Sequence, residues 1–327
     1  MANEVWYDHF MGALFGKYPK KTQLAKALMD LLCLEREAAY RRLRGDVHFT
    51  ASEIVKISSA WNISLDEITG VSAGKIPFLL QPINYIAPTE QELNLLQHIV
   101  QSIYGITDYP DTEFMDICNK LPRQLLAGFG SLNRFYLFKW QYQYGSEKKP
   151  LPFSQVAISE DMRRLTADYY SAIKHVPVTN FIFDRKIFED LVDEIRYFYH
   201  IQMITEDEIV ALTNDLYSLL DYLSEVAANG CYPETQNKVN MFISNLKINT
   251  NYSYTSTNRT STCFVHVFDK YEIFTHNSEM LENFKAWMHQ KKRSSIQISE
   301  IDAKSRIDFF NRQRELVATS LFKKENH

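Results

Sequence analysis

The residues best suited to chemistry in the first part of the chain are basic. Eight lysine and arginine side chains but only three acidic side chains lie between Lys17 and Arg44, so this segment has a net charge near +5. The whole chain of 327 residues carries a charge of −4. Lysine and arginine neutralise phosphate oxygens, and arginine also donates paired hydrogen bonds to guanine O6 and N7. The segment is therefore suited to binding nucleic acid, provided that a folded element gathers the basic side chains on one face.

The spacing of apolar residues predicts that short helices between residues 5 and about 70 position these basic side chains. Thr22 is expected to cap the second helix, and a break is expected at Cys33-Leu34-Glu35. Gly45 is expected to end the third helix. Two capping boxes, Thr50-Ala51-Ser52-Glu53 and Ser64-Leu65-Asp66-Glu67, are expected to begin the last two helical segments. The basic residues thus fall on the second and third helices.

The third predicted helix has an apolar stripe and an opposite polar stripe. Leu34, Ala39 and Leu43 form the stripe that is expected to face inward. The polar residues of the opposite stripe are expected to face DNA bases, and they are Arg36, Glu37, Tyr40, Arg41 and Arg44. Charged side chains and the amide groups of a helix start also suit phosphate contacts. The residues predicted to make those contacts are Lys20, Lys21, Thr22, Gln23 and Arg42.

Fourteen residues of this region follow a known pattern in register and without gaps. They are Leu28, Leu32, Leu34, Gly45, Thr50, Lys56, Ile57, Ala60, Ile63, Ser64, Leu65, Asp66, Glu67 and Ile68. In these residues the segment resembles the Cro/repressor-type (XRE-like) helix-turn-helix family. It departs from that family at Met29, where a small alanine is preferred, and at Cys33, where glycine is preferred. The resemblance implies a helix-turn-helix domain over residues 1–72 that binds double-stranded DNA, and therefore a sequence-specific transcription regulator.

The pattern of the whole chain predicts a mostly α fold, with an N-terminal helix-turn-helix bundle, a helical middle and a small α+β C-terminal region. Residues 73–88, which are interrupted by glycine and proline, are expected to form a linker. Residues 89–230 are expected to be helical, with helices near 89–99, 122–144, 159–173, 185–199 and 205–228. Residues 231–327 are expected to form two or three antiparallel strands, a helix over 278–291, a short strand at 295–298 and a helix over 303–322. The last two regions together are expected to form one regulatory unit.

The rest of the chain shows no pattern typical of catalysis or metal binding. The four cysteines are far apart, no pair has CxxC spacing, and the histidines are scattered. There is no glycine-rich phosphate loop and no nucleophile motif. We therefore expect no catalytic residues, no metal ligands and no cofactor, and we expect that the protein is not an enzyme.

An aromatic stripe in the predicted helix over residues 122–144 has two explanations. Its members are Phe135, Tyr136, Phe138, Trp140, Tyr142 and Tyr144. Packing against neighbouring helices is the default explanation for such a stripe. The alternative is that the stripe lines a pocket for a ligand.

Partners and location follow from the same features. We expect a homodimer, because two protomers read two half-sites of an operator, and an unknown small-molecule or protein effector is compatible with the C-terminal region. An interaction or adaptor protein that reuses a helix-turn-helix fold is the alternative function. The N-terminus carries Glu4 where a signal peptide would be basic, and no run approaches the roughly 18 apolar residues of a membrane span. A cytoplasmic protein with no membrane partner is therefore expected.

Overall fold

The computed structural model describes residues 5–61, 63–69, 76–145, 150–258, 260–268, 271–275 and 277–321. The chain divides into two compact units, Met1–Pro77 and Phe78–His327, which are called the N-terminal unit and the C-terminal unit below. Helices make up most of the structure, and one mixed sheet accompanies them. The expectation of a mostly α fold that includes an α+β region is confirmed at this level.

Five helices form the described part of the N-terminal unit. They are α1 (Val5–Lys17), α2 (Lys21–Leu32), α3 (Arg36–Arg44), α4 (Ala51–Trp61) and α5 (Leu65–Thr69). Their apolar residues recur at helical spacing and meet in one core. The fully buried members of that core are Phe10, Leu14, Leu24, Leu28 and Ile57. The Tyr7 hydroxyl at the edge of the core accepts a hydrogen bond of 3.0 Å from the backbone N–H of Phe49.

The ends of α2 and α3 are set by residues with left-handed backbone conformations. Gly45 has φ +84°, and the N–H of Asp46 donates to the carbonyl of Arg41 at 2.9 Å, which closes the last turn of α3. Cys33 has φ +54°, a conformation that glycine adopts without steric cost. The predicted breaks at both positions are confirmed. The prediction that Thr22 caps α2 is wrong, because α2 already begins at Lys21 and its N-cap is Lys20.

An eight-stranded mixed sheet forms the centre of the C-terminal unit. Its strands are β1 (Leu79–Gln81), β2 (Glu113–Cys118), β3 (Val178–Phe183), β4 (Lys238–Ser244), β5 (Tyr252–Ser256), β6 (Ser261–Val267), β7 (Tyr271–Phe274) and β8 (Ser295–Gln297). The order across the sheet is β1-β7-β6-β5-β2-β3-β4-β8. Strands β2, β3 and β4 are parallel to one another, and every other neighbouring pair is antiparallel.

Helices cover both faces of this sheet. They are α6 (Glu90–Tyr104), α7 (Arg123–Leu126), α8 (Gly130–Tyr144), α9 (Glu160–Lys174), α10 (Glu189–His200), α11 (Glu206–Asn229), α12 (Ser278–Arg293) and α13 (Ala303–Leu321). One face of the sheet supplies Phe181 and Met241 to a core that includes residues of α8, α10, α11 and α13. The other face supplies Ile117 and Phe242 to a smaller core with α12. A capping box of Thr89 and Glu92 begins α6.

Several sequence-based expectations for the C-terminal unit need correction. Strands β2 and β3 lie within the segment expected to be helical, because strands of a parallel sheet are buried on both faces and lack the alternation that reveals a half-exposed strand. Strand β4 was expected in an antiparallel sheet but pairs in parallel with β3. Strand β1 lies in the expected linker and pairs with β7.

The helix expected over residues 122–144 is two helices, α7 and α8. The chain between them contains Gly128, and α8 begins at Gly130; glycine is a poor helix former. The Asp215 carboxylate accepts hydrogen bonds from the backbone N–H groups of Ser131 at 2.7 Å and Leu132 at 3.2 Å. These bonds satisfy two of the donors that a helix start leaves unpaired, and they fix the break.

Candidate functional site

Helix α3 presents one stripe to the core and another to solvent. Ala39 is fully buried and Leu43 is nearly so. On the opposite side, Arg36, Glu37, Arg41 and Arg44 are exposed and Tyr40 is half-buried, so the five residues predicted to face bases share one side of the helix. Positions i, i+1, i+4, i+5 and i+8 lie close together on a helix surface because each turn takes 3.6 residues.

The charges on this face are partly paired with one another. The Arg44 guanidinium donates to Glu37 and to Asp46, each at 2.9 Å. The Arg36 guanidinium lies 5.8 Å from the centroid of the Tyr40 ring. Arg41 forms no ion pair with any residue of the described part of the chain. The exposed face therefore combines one unengaged arginine with two that have neighbours on the same surface.

Arg42 lies beside this face and is engaged with α4. Its Nη2 donates to Glu53 Oε1 at 2.8 Å and its Nε donates to Oε2 at 3.2 Å, while Nη1 donates to the carbonyl of Ala38. Only 14% of the Arg42 side chain and 16% of the Glu53 side chain are exposed. The paired, fork-like geometry holds α3 against the start of α4.

Glu53 combines this ion pair with the capping of α4. Its carboxylate accepts a hydrogen bond of 2.8 Å from the backbone N–H of Thr50, and the Thr50 hydroxyl accepts one from the backbone N–H of Glu53. Burial opposes ionisation of Glu53, but the hydrogen bonds from Thr50 and Arg42 outweigh it and lower the pKa of the carboxyl. The predicted capping box at this position is confirmed.

The start of α2 carries the other residues predicted to contact phosphate. Lys20, Lys21, Thr22 and Gln23 are all exposed. No side chain caps this helix end, and the backbone N–H groups of Lys21 and Thr22 have no acceptor among the described residues. Unpaired N–H groups and two lysines give this end of α2 a positive electrostatic potential.

A second candidate site lies in the C-terminal unit, where a cavity of about 600 Å³ separates the sheet from α6, α7, α8 and α9. The sheet register determines which side chains line it. Asp116 of β2 lies opposite Ser253 of β5, and His266 of β6 lies opposite Glu272 of β7. Residues directly opposite one another project from the same face of a sheet, so these four side chains share the wall of the cavity.

The aromatic stripe of α8 contributes both to packing and to the wall of the cavity, and ligand binding there stays a prediction. Phe135 and Phe138 are fully buried and contact Phe153 and Phe198 in the core. Tyr136 and Trp140 line the cavity. Neighbouring aromatic residues of one helix therefore divide between packing and the wall of a pocket.

The polar residues of this cavity were not predicted from the sequence. Asp116, Arg123, Gln124, His266 and Glu272 lie on four different elements, so no local motif joins them. One signal was available, since Asp116 interrupts the apolar run of β2 and an acidic residue inside a buried strand is unusual. Strand β2 had first to be identified as a strand before that signal had meaning.

Two further findings limit what the described part of the chain contains. No three His, Cys, Asp or Glu side chains among the described residues are grouped so that they could hold a metal ion. In the same residues, no helix has both the length and the apolar composition needed to cross a lipid bilayer. No protein-family model matches the chain, and comparisons with curated proteins and with solved structures found no match either.

Proposed function

We propose that the N-terminal unit binds double-stranded DNA through α3 and that the protein is a sequence-specific transcription regulator. The observation that carries the proposal is the exposed face of α3, which displays Arg36, Arg41 and Arg44 to solvent while Ala39 and Leu43 are buried. A helix of this kind suits the major groove, where arginine reads guanine and glutamate accepts from cytosine N4. Resemblance to the XRE-like helix-turn-helix family supports the same function.

The neighbouring residues receive distinct roles in this proposal. Lys20 and Lys21 neutralise phosphates, and the free N–H groups at the start of α2 donate to phosphate oxygens. Arg42 first of all positions α3, because Glu53 occupies its Nε and Nη2 groups. Arg44 must exchange its contacts with Glu37 and Asp46 for contacts with DNA.

The C-terminal unit completes the proposed regulator. We assign it the roles of pairing two protomers on one operator and of receiving a small-molecule or protein effector. Two half-sites multiply the specificity that one short helix provides, and symmetric dimers are the most frequent oligomers. The proposal includes no catalytic step, and it places the protein in the cytoplasm with the DNA.

Gel retardation of fragmented genomic DNA by the full chain, followed by sequencing of the retained fragments, tests this function. We expect the retained fragments to share a short motif. If Lys20 and Lys21 of two protomers contact four phosphates, the logarithm of affinity should fall with the logarithm of salt concentration with a slope of about −4. Absence of binding at low salt, or binding that is independent of salt, would contradict the proposal.

A protein-docking module is the second candidate function. The contacts of Arg44 with Glu37 and Asp46 favour it, because they offset positive charge at one end of the α3 face. A docking module would retain no DNA at low salt but would retain a protein partner on the immobilised full chain. Loss of that partner on substitution of Arg41 would then assign the α3 face to protein binding.

A further inference from the structure

The cavity of the C-terminal unit contains a buried carboxylate oxygen that lacks a donor. Asp116 is only 1% exposed. Its Oδ2 accepts a hydrogen bond from Gln124 Nε2, whereas Oδ1 has no hydrogen-bond partner among the described residues. Burial raises the pKa of Asp116 to about 7, although the neighbouring Ser253 hydroxyl and the Gln124 amide lower it. An unsatisfied buried acceptor is destabilising, and a ligand that donates to Oδ1 would remove that cost.

A donor without an acceptor lines the same cavity. The Nη2 group of Arg123 donates to the Thr166 hydroxyl at 2.9 Å, but its Nε is buried and has no acceptor in the described part of the chain. The guanidinium lies over the Tyr85 ring, 4.3 Å from its centroid. Gln124, the residue after Arg123, donates to Asp116, and all three residues line the cavity, so the two charged groups lie in the same part of it.

The charged side chains that line the cavity sum to no net charge, so a ligand needs no charge to balance them. Among the lysine, arginine and carboxylate side chains of the wall, Lys139 pairs with Glu194 and Glu272 contacts His266 at 2.9 Å. With the histidines counted as neutral, Lys120, Arg123 and Lys139 balance Asp116, Glu194 and Glu272. Asp116 and Arg123, which carry opposite charges, each have a buried polar atom without a hydrogen-bond partner in the described part of the chain. An uncharged ligand with one donor and one acceptor suits this pair, because burying a charge without a partner is costly.

The shape of the wall indicates a flat ring. Tyr85 and Trp140 meet edge to face with ring centroids 5.5 Å apart, and Phe264 and Phe274 line the cavity from the sheet. Aromatic walls favour planar ligands, on which they stack. At about 600 Å³ the cavity lies in the range of sites that hold whole small molecules.

Threonine hydroxyl groups also line the cavity, in addition to the aromatic rings. Thr255 and Thr262 are cross-strand neighbours on β5 and β6, and both line the cavity. Thr260, at the turn between these strands, is exposed, so this end of the cavity approaches solvent. Two adjacent threonine hydroxyls, each able to donate and accept, suit the hydroxyls of a sugar.

We infer that the cavity binds a nucleoside, whose uncharged planar base donates to Asp116 Oδ1 and accepts from Arg123 Nε while its ribose contacts Thr255 and Thr262. A purine or pyrimidine base presents adjacent donors and acceptors on one edge of a flat ring, which suits a wall with one unpaired acceptor, one unpaired donor and several aromatic rings. The site lies wholly within the C-terminal unit. Nucleoside binding therefore goes beyond DNA binding, and a negative test of one proposal does not contradict the other.

Isothermal titration of the full chain at pH 8, where Asp116 is mostly ionised, tests the inference. The probes are adenosine, guanosine, cytidine and uridine, and the comparison compounds are ribose, benzoate and spermidine. We expect at least one nucleoside to bind with a dissociation constant below 1 mM and no comparison compound to do so. Failure of all four nucleosides at 1 mM would overturn the inference, as would tighter binding of benzoate or spermidine.

Three variants locate the binding. Asp116→Asn replaces an acceptor oxygen or reorients it. It should weaken nucleoside binding tenfold or more, because a hydrogen bond to a charged group is lost. Thr262→Val keeps the volume, removes the hydroxyl and should weaken binding about threefold or more. Asp207→Asn changes an exposed carboxylate of α11 and serves as the matched control with unchanged affinity. Wild-type affinity in both Asp116→Asn and Thr262→Val would place the nucleoside elsewhere and refute the inference.

Discussion

Replacing Arg42 tests whether this residue acts through α4 or through DNA. In Arg42→Met the aliphatic stem is kept and both hydrogen bonds to Glu53 are lost. An exposed ion pair contributes about 0–1 kcal/mol, whereas breaking a fully buried pair costs about 3–5 kcal/mol. The two side chains are 14% and 16% exposed, and Glu53 keeps its hydrogen bond from Thr50. We therefore expect a loss of about 2 kcal/mol in the free energy of opening the N-terminal unit.

Hydrogen exchange of the α3 and α4 amides in the full chain measures this change, because it reports on the local unit without requiring two-state unfolding of the whole chain. A loss of about 2 kcal/mol makes exchange about thirtyfold faster at pH 7. Arg41→Met is the matched control, because Arg41 is an exposed neighbour on the same helix and has no ion pair with described residues. It should change the free energy by less than about 0.5 kcal/mol.

The pH dependence of the same difference adds a second check. Since the pKa of Glu53 is lowered in the folded chain, its ionised form stabilises the fold above the unfolded pKa of about 4.3, and this contribution is lost as pH falls through the folded pKa. The difference between wild type and Arg42→Met should thus shrink below about pH 4. If exchange in Arg42→Met matches that in Arg41→Met while the salt slope of DNA binding falls by about 1, Arg42 is a phosphate contact and not a positioning residue.

Three further outcomes are expected from the structure and the proposed function. Arg41→Ala should weaken binding to the retained genomic fragments by about 1–3 kcal/mol. Lys21→Ala should weaken binding to specific and random DNA alike. If both changes affect specific and random DNA equally, the assignment of Arg41 to a base and Lys21 to a phosphate is wrong. Light scattering of the full chain at micromolar concentration should give twice the mass of one chain, and a monomer mass both free and on DNA would rule out the dimer. Gly45→Ala should destabilise the N-terminal unit by about 1–2 kcal/mol, because φ is +84° while no atom lies near the added methyl group. Gly12→Ala, which also meets open space but lies within α1, should be neutral or stabilising in the same exchange measurement.

The helices of the N-terminal unit could be predicted because their signals are local. Gly45 ends α3, and the Thr50 and Glu53 capping box begins α4, within a few residues of the atoms that they satisfy. The error at Thr22 is also local, because a residue that can cap a helix was preferred to Lys20, which has no capping side chain. Such errors move a helix end by one or two residues and leave the exposed and buried stripes of α3 unchanged.

The sheet of the C-terminal unit was harder to predict, because five of its seven strand pairs join segments that are far apart in the sequence. Strands β5, β6 and β7 are joined by short turns and pair in sequence order. The pattern of polar and apolar residues between 251 and 274 predicted strands in this segment. Strand β2 pairs with β3 across more than fifty residues of helix and loop, and both are buried on each face. A short, continuous apolar run between helices does not distinguish a strand from a helical segment.

The two candidate sites differ in the same way. All five residues predicted to face bases lie on α3, so the period of one helix is enough to place them on one side. In the cavity, Asp116 acquires its neighbours only when β2 pairs with β5, and Glu272 meets His266 only when β7 pairs with β6. A carboxylate within an apolar run is either hydrogen-bonded by another residue of the protein or lines a cavity that a ligand enters. The sequence alone does not distinguish these two cases. In this chain Gln124 of α7 satisfies Oδ2, while Oδ1 has no donor among the described residues and Asp116 lines the cavity.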